Sequence, residues 1–457
     1  MNWGFFILRL VIGSGVLALL FFSQRFWYRA IWQITAKWRF TTSRVAVRLC
    51  YVLALLLVIP ALLDSFPMKH QHFMPRTSAI TAFSGLWFTS VLFGYLAVKV
   101  VRGVDRLWSL GRRVLSAKPE RAELVTTKPM PQVRKAASNT PLISAANSPA
   151  DPSRRYFFRA ASMAAGAAPF LGVMYGFAAE RLNYQVRRVE IPIAKLPAAL
   201  DGMKIAQLSD IHMSGYMPRS QVRRAVDMAN DLGADLAVVT GDFITGPSDP
   251  LAECIDEVRR LKAPLGVWGC NGNHEIYARA EDAAQRLFAQ AGMKLLRHET
   301  AQLTFNGAAF NLIGVDYQRE RTPGGKRQQV LEGVDALVRR DVPNILLSHN
   351  PNTFNRAAEL GIELSLAGHT HGGQIQVEIL DHRLSPARFI TDYVAGLYAR
   401  PLFAQAPDAR DARHESLDVD PHAAMAQIYV NRGLGTVGAP VRLGVPPEIT
   451  LIVLRRA

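Results

Sequence analysis

Side chains that bind metal ions strongly recur in five short segments in the second half of the sequence. They are Ser209-Asp210-Ile211-His212, Gly241-Asp242, Gly272-Asn273-His274-Glu275, His349 and Gly368-His369-Thr370-His371. Each segment follows a run of apolar or β-branched residues that predicts a strand. Because loops at the carboxyl ends of neighbouring strands converge at one edge of a sheet, we expect these side chains to meet. A buried group of aspartates and histidines is costly without cations to pair with, so the pattern predicts a metal site.

Each segment also has an ordinary structural interpretation when it is taken alone. A single histidine at a strand end is usually a hydrogen-bonded structural residue, Asp242 could end a turn or cap a helix, and Asn273 beside a glycine could form a hairpin turn. Five such segments in succession favour the metal site. Arg432 and Arg442 could contact a phosphate, but we expect them to anchor the glycine-rich tail. Asp316 could line the pocket, but we expect it to be a loop carboxylate.

From residue 188 onward the sequence predicts a mixed α/β (α+β) domain. Strands are predicted at 203–208, 235–240, 265–268, 311–315, 344–347, 362–366, 374–378, 426–430 and 449–454, and helices at 219–230, 251–261 and 280–290. Strands and helices alternate at first and closely spaced strands follow, an order that predicts a β-sandwich flanked by helices. The polar segment 404–422 is expected to be an exposed insertion.

The ordered set D-x-H, G-D, G-N-H-[D/E], H and G-H-x-H resembles the pattern of the calcineurin-like metallophosphoesterase family, and the resemblance covers roughly residues 188–457. It looks closest to the membrane-associated bacterial branch, which shares SDIH, GHTHGGQ and a tail of NRGLG followed by PPEI, here at 431–435 and 446–449. The resemblance implies a metallophosphoesterase-type fold and two metal ions bridged by Asp242. One ion would be held by Asp210, His212, Asp242 and His371, and the other by Asp242, Asn273, His349 and His369.

Such a pair of divalent ions can hold both reacting oxygens of an in-line phosphoryl displacement and activate a water molecule for attack. The mixed ligands suit manganese, iron or zinc. The expected activity is therefore that of a metal-dependent phosphoric ester hydrolase acting on a phosphomonoester, a phosphodiester or a pyrophosphate. His274 is not needed as a ligand, and we expect it to protonate the leaving oxygen while Glu275 orients its ring. The alternative is that His274 merely packs.

A second hypothesis places the chain in another class, as a non-catalytic metal-binding or sensory scaffold on the same fold. The complete ligand set argues against it. A site kept only for binding has no need of His274 as a general acid.

The basic charge of the chain lies in its first part. The formal net charge is +16, and residues 1–189 contain 25 Lys and Arg against 6 Asp and Glu, whereas residues 190–457 contain 28 against 31. Basic residues beside apolar runs are typical of membrane proteins, while a nucleic-acid partner would require cations on the folded domain, so we exclude nucleic acid. Cys50, Cys254 and Cys270 lack the spacing of a disulfide framework or a thiolate zinc site.

Four apolar segments are long enough to cross a bilayer, at 3–22, 45–66, 80–101 and 157–179. The loop after the first segment is basic and contains no acidic residue, which indicates the cytoplasm. Residues 1–110 are thus predicted to be a membrane region with three transmembrane helices, 111–155 a basic flexible cytoplasmic linker and 156–182 a fourth transmembrane helix or signal anchor. The domain at 188–457 would then lie on the outer, periplasmic side of a bacterial cytoplasmic (inner) membrane. Such a multi-pass anchor in the lipid bilayer makes a lipid-linked phosphoester a candidate substrate.

The segment from Ser153 to Arg159 is similar to a twin-arginine export signal, with Arg154 and Arg155 before a run of small apolar residues. A route that exports folded proteins would suit a domain that binds metals first, which makes the twin-arginine machinery a candidate partner. The alternative is that both arginines are positive-inside charges beside a fourth helix. Both interpretations predict the same topology.

Overall fold

The computed structural model describes residues 3–64, 79–116, 152–319, 329–379, 382–389, 391–403 and 424–457. The predicted insertion at 404–422 and residues 117–151, which make up most of the predicted linker, lie outside the described residues.

Helices and strands occupy most of the described chain. The helices are α1 Trp3–Ala36, α2 Thr41–Asp64, α3 Ala79–Ser116, α4 Pro152–Ala178, α5 Arg219–Asn230, α6 Leu251–Val258, α7 Asn273–Ala278, α8 Glu281–Gln290 and α9 Phe354–Leu360. The strands are β1 Gln185–Ile193, β2 Lys204–Leu208, β3 Leu236–Thr240, β4 Val267–Cys270, β5 Lys294–Leu295, β6 Glu299–Phe305, β7 Ala308–Gly314, β8 Asn344–Leu347, β9 Leu364–Ala367, β10 Val377–Ile379, β11 His382–Leu384, β12 Gly396–Pro401, β13 Met425–Val430 and β14 Glu448–Arg456.

Two six-stranded sheets form the centre of the C-terminal part. The first has the order β1-β14-β2-β3-β4-β5, and β2 to β5 run parallel. The second has the order β12-β13-β9-β8-β7-β6, and β7, β8, β9 and β13 run parallel. Parallel neighbours bring the loops after their carboxyl ends to one edge of each sheet.

The sheets pack face to face and carry helices on their outer faces. Buried residues of both sheets, including Ile205, Val238, Leu312 and Leu366, form the core between them. A second core joins the first sheet to α5, α6 and α8, and a third joins the second sheet to α9. The prediction of a β-sandwich flanked by helices is confirmed.

The local sequence explains why these elements form. Helix α5 buries Val222, Ala225, Val226 and Ala229, which recur at the spacing of one helical face. Strand β3 has the sequence LAVVT and is buried along its whole length, as expected for a parallel strand covered on both faces.

Most of the predicted elements occur within a few residues of their expected bounds. The strand predicted at 374–378 begins later than expected, at Val377, because Gln374 ends a short 3-10 helix at 371–373 with a left-handed φ of 59°. Strand β1 was not predicted, because its sequence QVRRVEIPI is rich in charged residues. It pairs with β14 over nine residues at the edge of the sheet.

The four predicted apolar segments overlap α1 to α4 in order, and residues 65–66 of the second segment lie outside the described residues. In the described part of the chain, three helical stretches are long and apolar enough to cross a membrane by length and composition: Thr41–Val58, Ala82–Gly111 and Ser153–Leu182. The first predicted span falls in α1, and its passage through a membrane stays a prediction.

The ends of α3 and α4 contact loops of the sandwich. Arg442 N–H donates to the carbonyl of Gly176 near the end of α4, at 3.4 Å. Gly85, near the start of α3, approaches Ala439 so closely that a Cβ there would lie 3.1 Å from the Ala439 Cα. Arg181 Nη1 donates to the carbonyl of Tyr216 at 2.9 Å. Helices and sandwich therefore meet at one end of the helices.

Candidate metal centre

The five sequence segments meet at the edge where the two sheets bring their strand ends together. Asp210, Asp242 and Asn273 follow β2, β3 and β4, three neighbouring parallel strands of the first sheet. His349 follows β8, and His369 and His371 follow its neighbour β9 in the second sheet. The topology thus gathers residues that are up to 161 positions apart, the separation of Asp210 and His371.

The first group of donor atoms comprises Asp210, His212, Asp242 and His371. All four residues are buried, and one ligand atom from each lies within 4.8 Å of the others. His212 Nε2 lies 3.4 Å from Asp242 Oδ2, and His371 Nε2 lies 3.3 Å from Asp210 Oδ1. His212 Nε2 and His371 Nε2 are 3.2 Å apart.

The second group comprises Asp242, His349 and His369, with the same 4.8 Å limit between ligand atoms. His349 Nε2 lies 3.0 Å from Asp242 Oδ2. Asp242 therefore belongs to both groups and stands between them. Asn273 borders this group, since the next residue, His274, donates its backbone N–H to Asp242 Oδ1 at 2.9 Å.

The other ring nitrogens of two histidines are held by backbone carbonyls. His212 Nδ1 lies 3.1 Å from the carbonyl of Ile244, and His349 Nδ1 lies 2.6 Å from the carbonyl of Thr240. A carbonyl accepts only when Nδ1 carries the proton, so in the neutral form of each ring the lone pair is on Nε2, which lies beside the Asp242 carboxylate.

The backbone adopts unusual conformations at these residues. Five candidate ligands have left-handed φ angles: Asp210, His212, Asp242, His369 and His371, with φ between 47° and 74°. Such angles are uncommon for residues with a Cβ and cluster at functional sites, where the surrounding fold imposes them.

Glycine is required at position 272. A Cβ there would overlap Asp242 Oδ1, so only a residue without a side chain lets the turn after β4 approach this carboxylate.

Glu275 was expected to orient the ring of His274, but the structure gives each residue a different partner. His274 Nδ1 lies 2.7 Å from the carbonyl of Thr245, so that carbonyl orients the ring. The buried carboxylate of Glu275 instead accepts the backbone N–H groups of Asp242 at 2.9 Å, Phe243 at 2.8 Å and Gly272 at 2.8 Å. Sequence reasoning missed this role because the donors of the β3 turn lie about thirty positions away in the chain.

Burial and neighbouring charges shift the pKa values of the aspartates and histidines at the centre. Burial opposes ionisation of Asp242, yet His349 and His212 hold the pKa of this carboxyl well below its usual range. Burial also opposes protonation of His349, but the carboxylates of Asp242 and Asp210 outweigh it and raise its pKa to about 10. Burial lowers the pKa of His369 to about 3, and the charge of His349 acts in the same direction.

This donor set fits divalent metal ions. Metals bind ionised carboxylates and neutral imidazoles, so a divalent cation would take the place of the proton that Asp242 and Asp210 favour on His349. Two buried aspartates need such positive charge between them. Asn273 Oδ1 is buried and has no hydrogen-bond partner among the described residues, so its carbonyl oxygen is available as a ligand.

Tyr317 and Arg442 are not candidate ligands, but both contact the candidate ligands. Tyr317 packs its ring against those of His369 and His349, with centroid distances of 5.2 and 6.0 Å. Arg442 is fully buried, and it donates to the carbonyls of Gly435 and Val445, as expected for an anchor of the tail. Its Nη2 also lies 3.5 Å from His371 Nδ1.

Comparison with known proteins agrees with this geometry. The model of the calcineurin-like phosphoesterase family matches residues 203–373, which contain β2 to β9 and all seven candidate ligands. Residues 203–373 therefore belong to the calcineurin-like phosphoesterases. Members of this family of hydrolases usually bind two divalent metal ions, and the cluster of aspartates and histidines fits a metal site.

Several curated proteins resemble the chain over more than half of its length. A transmembrane protein with metallophosphoesterase domain from Danio rerio is 29% identical over 295 residues, 62% of this chain and 60% of that protein. The metallophosphoesterase YkuE of Bacillus subtilis is 28% identical over 310 residues, 66% of this chain and 98% of that protein. The chain thus matches about 60% of the length of the Danio relative.

Solved structures resemble the chain more weakly. The NAD nucleotidase of Haemophilus influenzae is 15% identical, covers 37% of this chain and 38% of its own, and has a TM-score of 0.27.

Proposed function

We propose that the protein is a membrane-anchored, two-metal phosphoesterase. The observation that carries the proposal is the pair of donor groups that share Asp242. In this assignment Asp210, His212, Asp242 and His371 hold one ion, and Asp242, Asn273, His349 and His369 hold the other. Manganese, iron or zinc suits this mixture of carboxylate, amide and imidazole donors.

Two such ions supply charge stabilisation and an activated water molecule for in-line attack on phosphorus. The side chain of His274 is the chain's own contribution to the reaction. Its Nδ1 is fixed by the carbonyl of Thr245, and its ring lies edge-on to that of His212 with centroids 4.7 Å apart. Because Nδ1–H is donated to Thr245, it is the protonated imidazolium form of His274 that can donate from Nε2 to the leaving oxygen or stabilise charge on the phosphoryl group.

Glu275 acts as a positioning residue. It is buried, it caps the N–H groups of the β3 turn, and it holds the turn after β4 through Gly272 N–H. These bonds keep Asp242 and Asn273 in fixed relation to each other, which a shared pair of ions requires.

The membrane part of the proposal rests on the helices and their charges. Among the described residues, three helices are long and apolar enough to span a bilayer, and the relatives from Danio rerio and Bos taurus are named transmembrane proteins. The basic loop between α1 and α2 favours the cytoplasm, so four spans would carry the catalytic domain to the periplasmic side of a bacterial inner membrane. A reporter that is active only outside the cytoplasm, fused to the C-terminus, should be active, and activity of a cytoplasmic reporter there would reverse the topology.

One arginine of the twin-arginine motif forms an ion pair with a residue of another helix. Arg154 lies in the first turn of α4 and forms an ion pair with Asp105 of α3. This contact supports the interpretation of Arg154 as a structural charge beside a fourth span. Export through the twin-arginine machinery stays a prediction, tested by insertion in cells that lack that machinery.

A lipid-linked phosphoester is the substrate class that the geometry favours. Two loops of the metal centre contact helix ends: the turn after His212 through Tyr216 and Arg181, and the tail through Arg442 and Gly176. The tail also touches the centre, because Arg442 Nη2 lies near His371. This arrangement would place the site close to the membrane surface, where the phosphate of a lipid-linked substrate lies.

Activity of the full-length protein in detergent tests the proposal. With manganese, zinc or iron present, it should hydrolyse a chromogenic phosphodiester, a phosphomonoester or a lipid phosphate. Asp242→Asn should abolish the activity, whereas Asp282→Asn, a matched change at an exposed position, should leave it intact. Equal activity in the wild type and Asp242→Asn, or none in either with any metal, would favour a non-catalytic metal-binding or sensory scaffold.

A further inference from the structure

A large cavity lies among the N-terminal helices, apart from the metal centre. Its volume is about 920 Å³, and α1, α3 and α4 line it. Its walls are mostly apolar and include Phe26, Trp27, Val98, Phe158 and Phe170.

A second cavity of about 480 Å³ adjoins the first between α1 and α3. The two share four lining residues, Phe26, Ala30, Gln33 and Arg102. They therefore form one continuous recess with an apolar and a polar part.

The polar part of the recess is strongly basic. Arg25, Arg29, Lys99 and Arg102 line it, and no acidic residue is among its lining residues. The apolar part adds Arg155 and Arg159 at its rim, and its one acid, Asp105, is paired with Arg154. Within the described helical residues, none of the four cations of the polar part forms an ion pair.

The spacing of these cations concentrates their charge on two helical faces. Arg25 and Arg29 of α1 are four positions apart, and Lys99 and Arg102 of α3 are three apart, so each pair lies on one face of its helix. Like charges at this spacing destabilise a helix. Two such pairs that face the same cavity increase the electrostatic repulsion. An anion bound in the cavity would offset this repulsion.

Aromatic rings contact two of the cations, and one of these, Arg102, lines both the polar and the apolar part. Arg102 Cζ lies 5.3 Å from the ring centroid of Phe26, and Lys99 Nζ lies 5.3 Å from that of Tyr95. Such contacts keep the charges beside apolar surface. A ligand that fills both parts must combine an anionic group with a hydrocarbon segment.

The recess lies far from the catalytic domain. The tail of the sandwich contacts α3 at Gly85, and Arg102 is about 25 Å further along the helix at 1.5 Å per residue. A substrate at the metal centre and a ligand in the recess would therefore occupy different sites.

We infer that this recess binds an anionic phospholipid, with its phosphate among Arg25, Arg29, Lys99 and Arg102 and an acyl chain in the 920 Å³ cavity. Basic pockets between transmembrane helices bind anionic headgroups, each cation contributing to the attraction. The inference rests on the proposed membrane insertion of α1, α3 and α4, and it is independent of the phosphoesterase activity.

Lipid binding to the full-length protein tests the inference. Native mass spectrometry of the protein released from detergent would compare the first bound phosphatidylglycerol with phosphatidylcholine. We expect a preference of about tenfold or more for phosphatidylglycerol, from the charge of the four cations. Inorganic phosphate in large excess should not remove the bound lipid, whereas competition by phosphate alone would assign the recess to a free anion and overturn the inference.

Matched variants distinguish lipid binding in the recess from a general effect of basic charge on lipid binding. The variant Arg25→Gln, Arg29→Gln, Lys99→Gln, Arg102→Gln should lose the preference. The control Lys37→Gln, Arg39→Gln, Arg44→Gln, Arg106→Gln removes the same charge from residues that do not line the recess and should keep it. Equal behaviour of the two variants would contradict the inference.

Two single substitutions provide a second test in case the fourfold variant does not fold. Arg102 lines both cavities and Arg106 lines neither, so Arg102→Gln should weaken phosphatidylglycerol binding and Arg106→Gln should not. Circular dichroism would verify the helical content of each variant. Unchanged binding in a folded Arg102→Gln protein would overturn the inference.

Discussion

The carboxylate of Glu275 accepts the backbone N–H of Asp242 at 2.9 Å. Through the same carboxylate it also accepts the N–H groups of Phe243 and Gly272. One side chain thus joins the turn that carries the shared aspartate to the turn that carries Asn273. Since both turns contribute ligands to the same proposed ion, their separation sets the geometry of the metal centre.

Replacement of Glu275 by glutamine tests this link. Glutamine is a poor substitute at this position, because an amide offers one acceptor oxygen and would place an N–H₂ group against backbone donors. We expect Glu275→Gln to lower metal affinity about 10- to 100-fold, as is typical for residues that orient metal ligands. Isothermal titration with manganese measures the affinity. Glu281→Gln, a matched change in the first turn of α8, should bind manganese like the wild type, and wild-type affinity in Glu275→Gln would contradict the role.

Replacement of His274 by glutamine tests the proposed proton donor. The change should lower kcat by about 10² to 10⁴-fold, the usual contribution of general acid catalysis, without loss of bound metal. The loss should be smaller for a substrate with a good leaving group such as p-nitrophenol than for an alkyl phosphoester, because a good leaving group needs less protonation. Steady-state kinetics on both substrates and metal analysis measure these effects. An equal loss on both substrates would assign His274 to binding or packing instead.

Replacement of Glu257 by glutamine should change stability in a pH-dependent manner. The hydrogen bond from Arg223 and then that from Arg219 lower the pKa of this carboxyl from the usual 4.5 to about 2. The folded state therefore favours the ionised form, and the resulting stability is present above pH 4.5 and lost as the pH falls from 4.5 towards 2.

At pH 7 we expect Glu257→Gln to lower Tm by about 2–4 °C, the shift for about 1 kcal/mol in a domain of this size. Solvent around the exposed arginines keeps the effect this small. The difference from the wild type should shrink near pH 3, as measured by differential scanning fluorimetry. Glu253→Gln, on the exposed face of the same helix, serves as the control, and a difference in Tm that does not depend on pH would contradict the ion-pair explanation.

The candidate metal centre could be predicted from the sequence because the chemistry of its proposed ligands is local. Asp210, Asp242 and His349 each follow a short apolar run, and strand ends meet wherever parallel strands are neighbours. The bonds of Glu275 to the β3 turn were invisible in the sequence, because they join residues that only the fold brings together. The left-handed backbone at His369 and His371 was equally hidden, since it is imposed by tertiary packing on residues that disfavour it.

The fold itself was predictable where the periodicity is strong. Helix α5 was predicted with its observed bounds because Val222 and Val226 repeat at helical spacing. Strands β6 and β12 were missed because they lie at sheet edges, where half of the residues face solvent and the apolar signal is weak. Asn273, considered for a hairpin turn, instead begins helix α7.

The number of metal ions bound by the purified chain is the most direct test of a centre built around a shared carboxylate. Elemental analysis of the full-length protein after saturation with manganese and removal of free metal should give two ions per chain. Asp242→Asn should give fewer than one, because both donor groups lose their common member. One ion or none in the wild type, or two ions in Asp242→Asn, would contradict the two-metal centre.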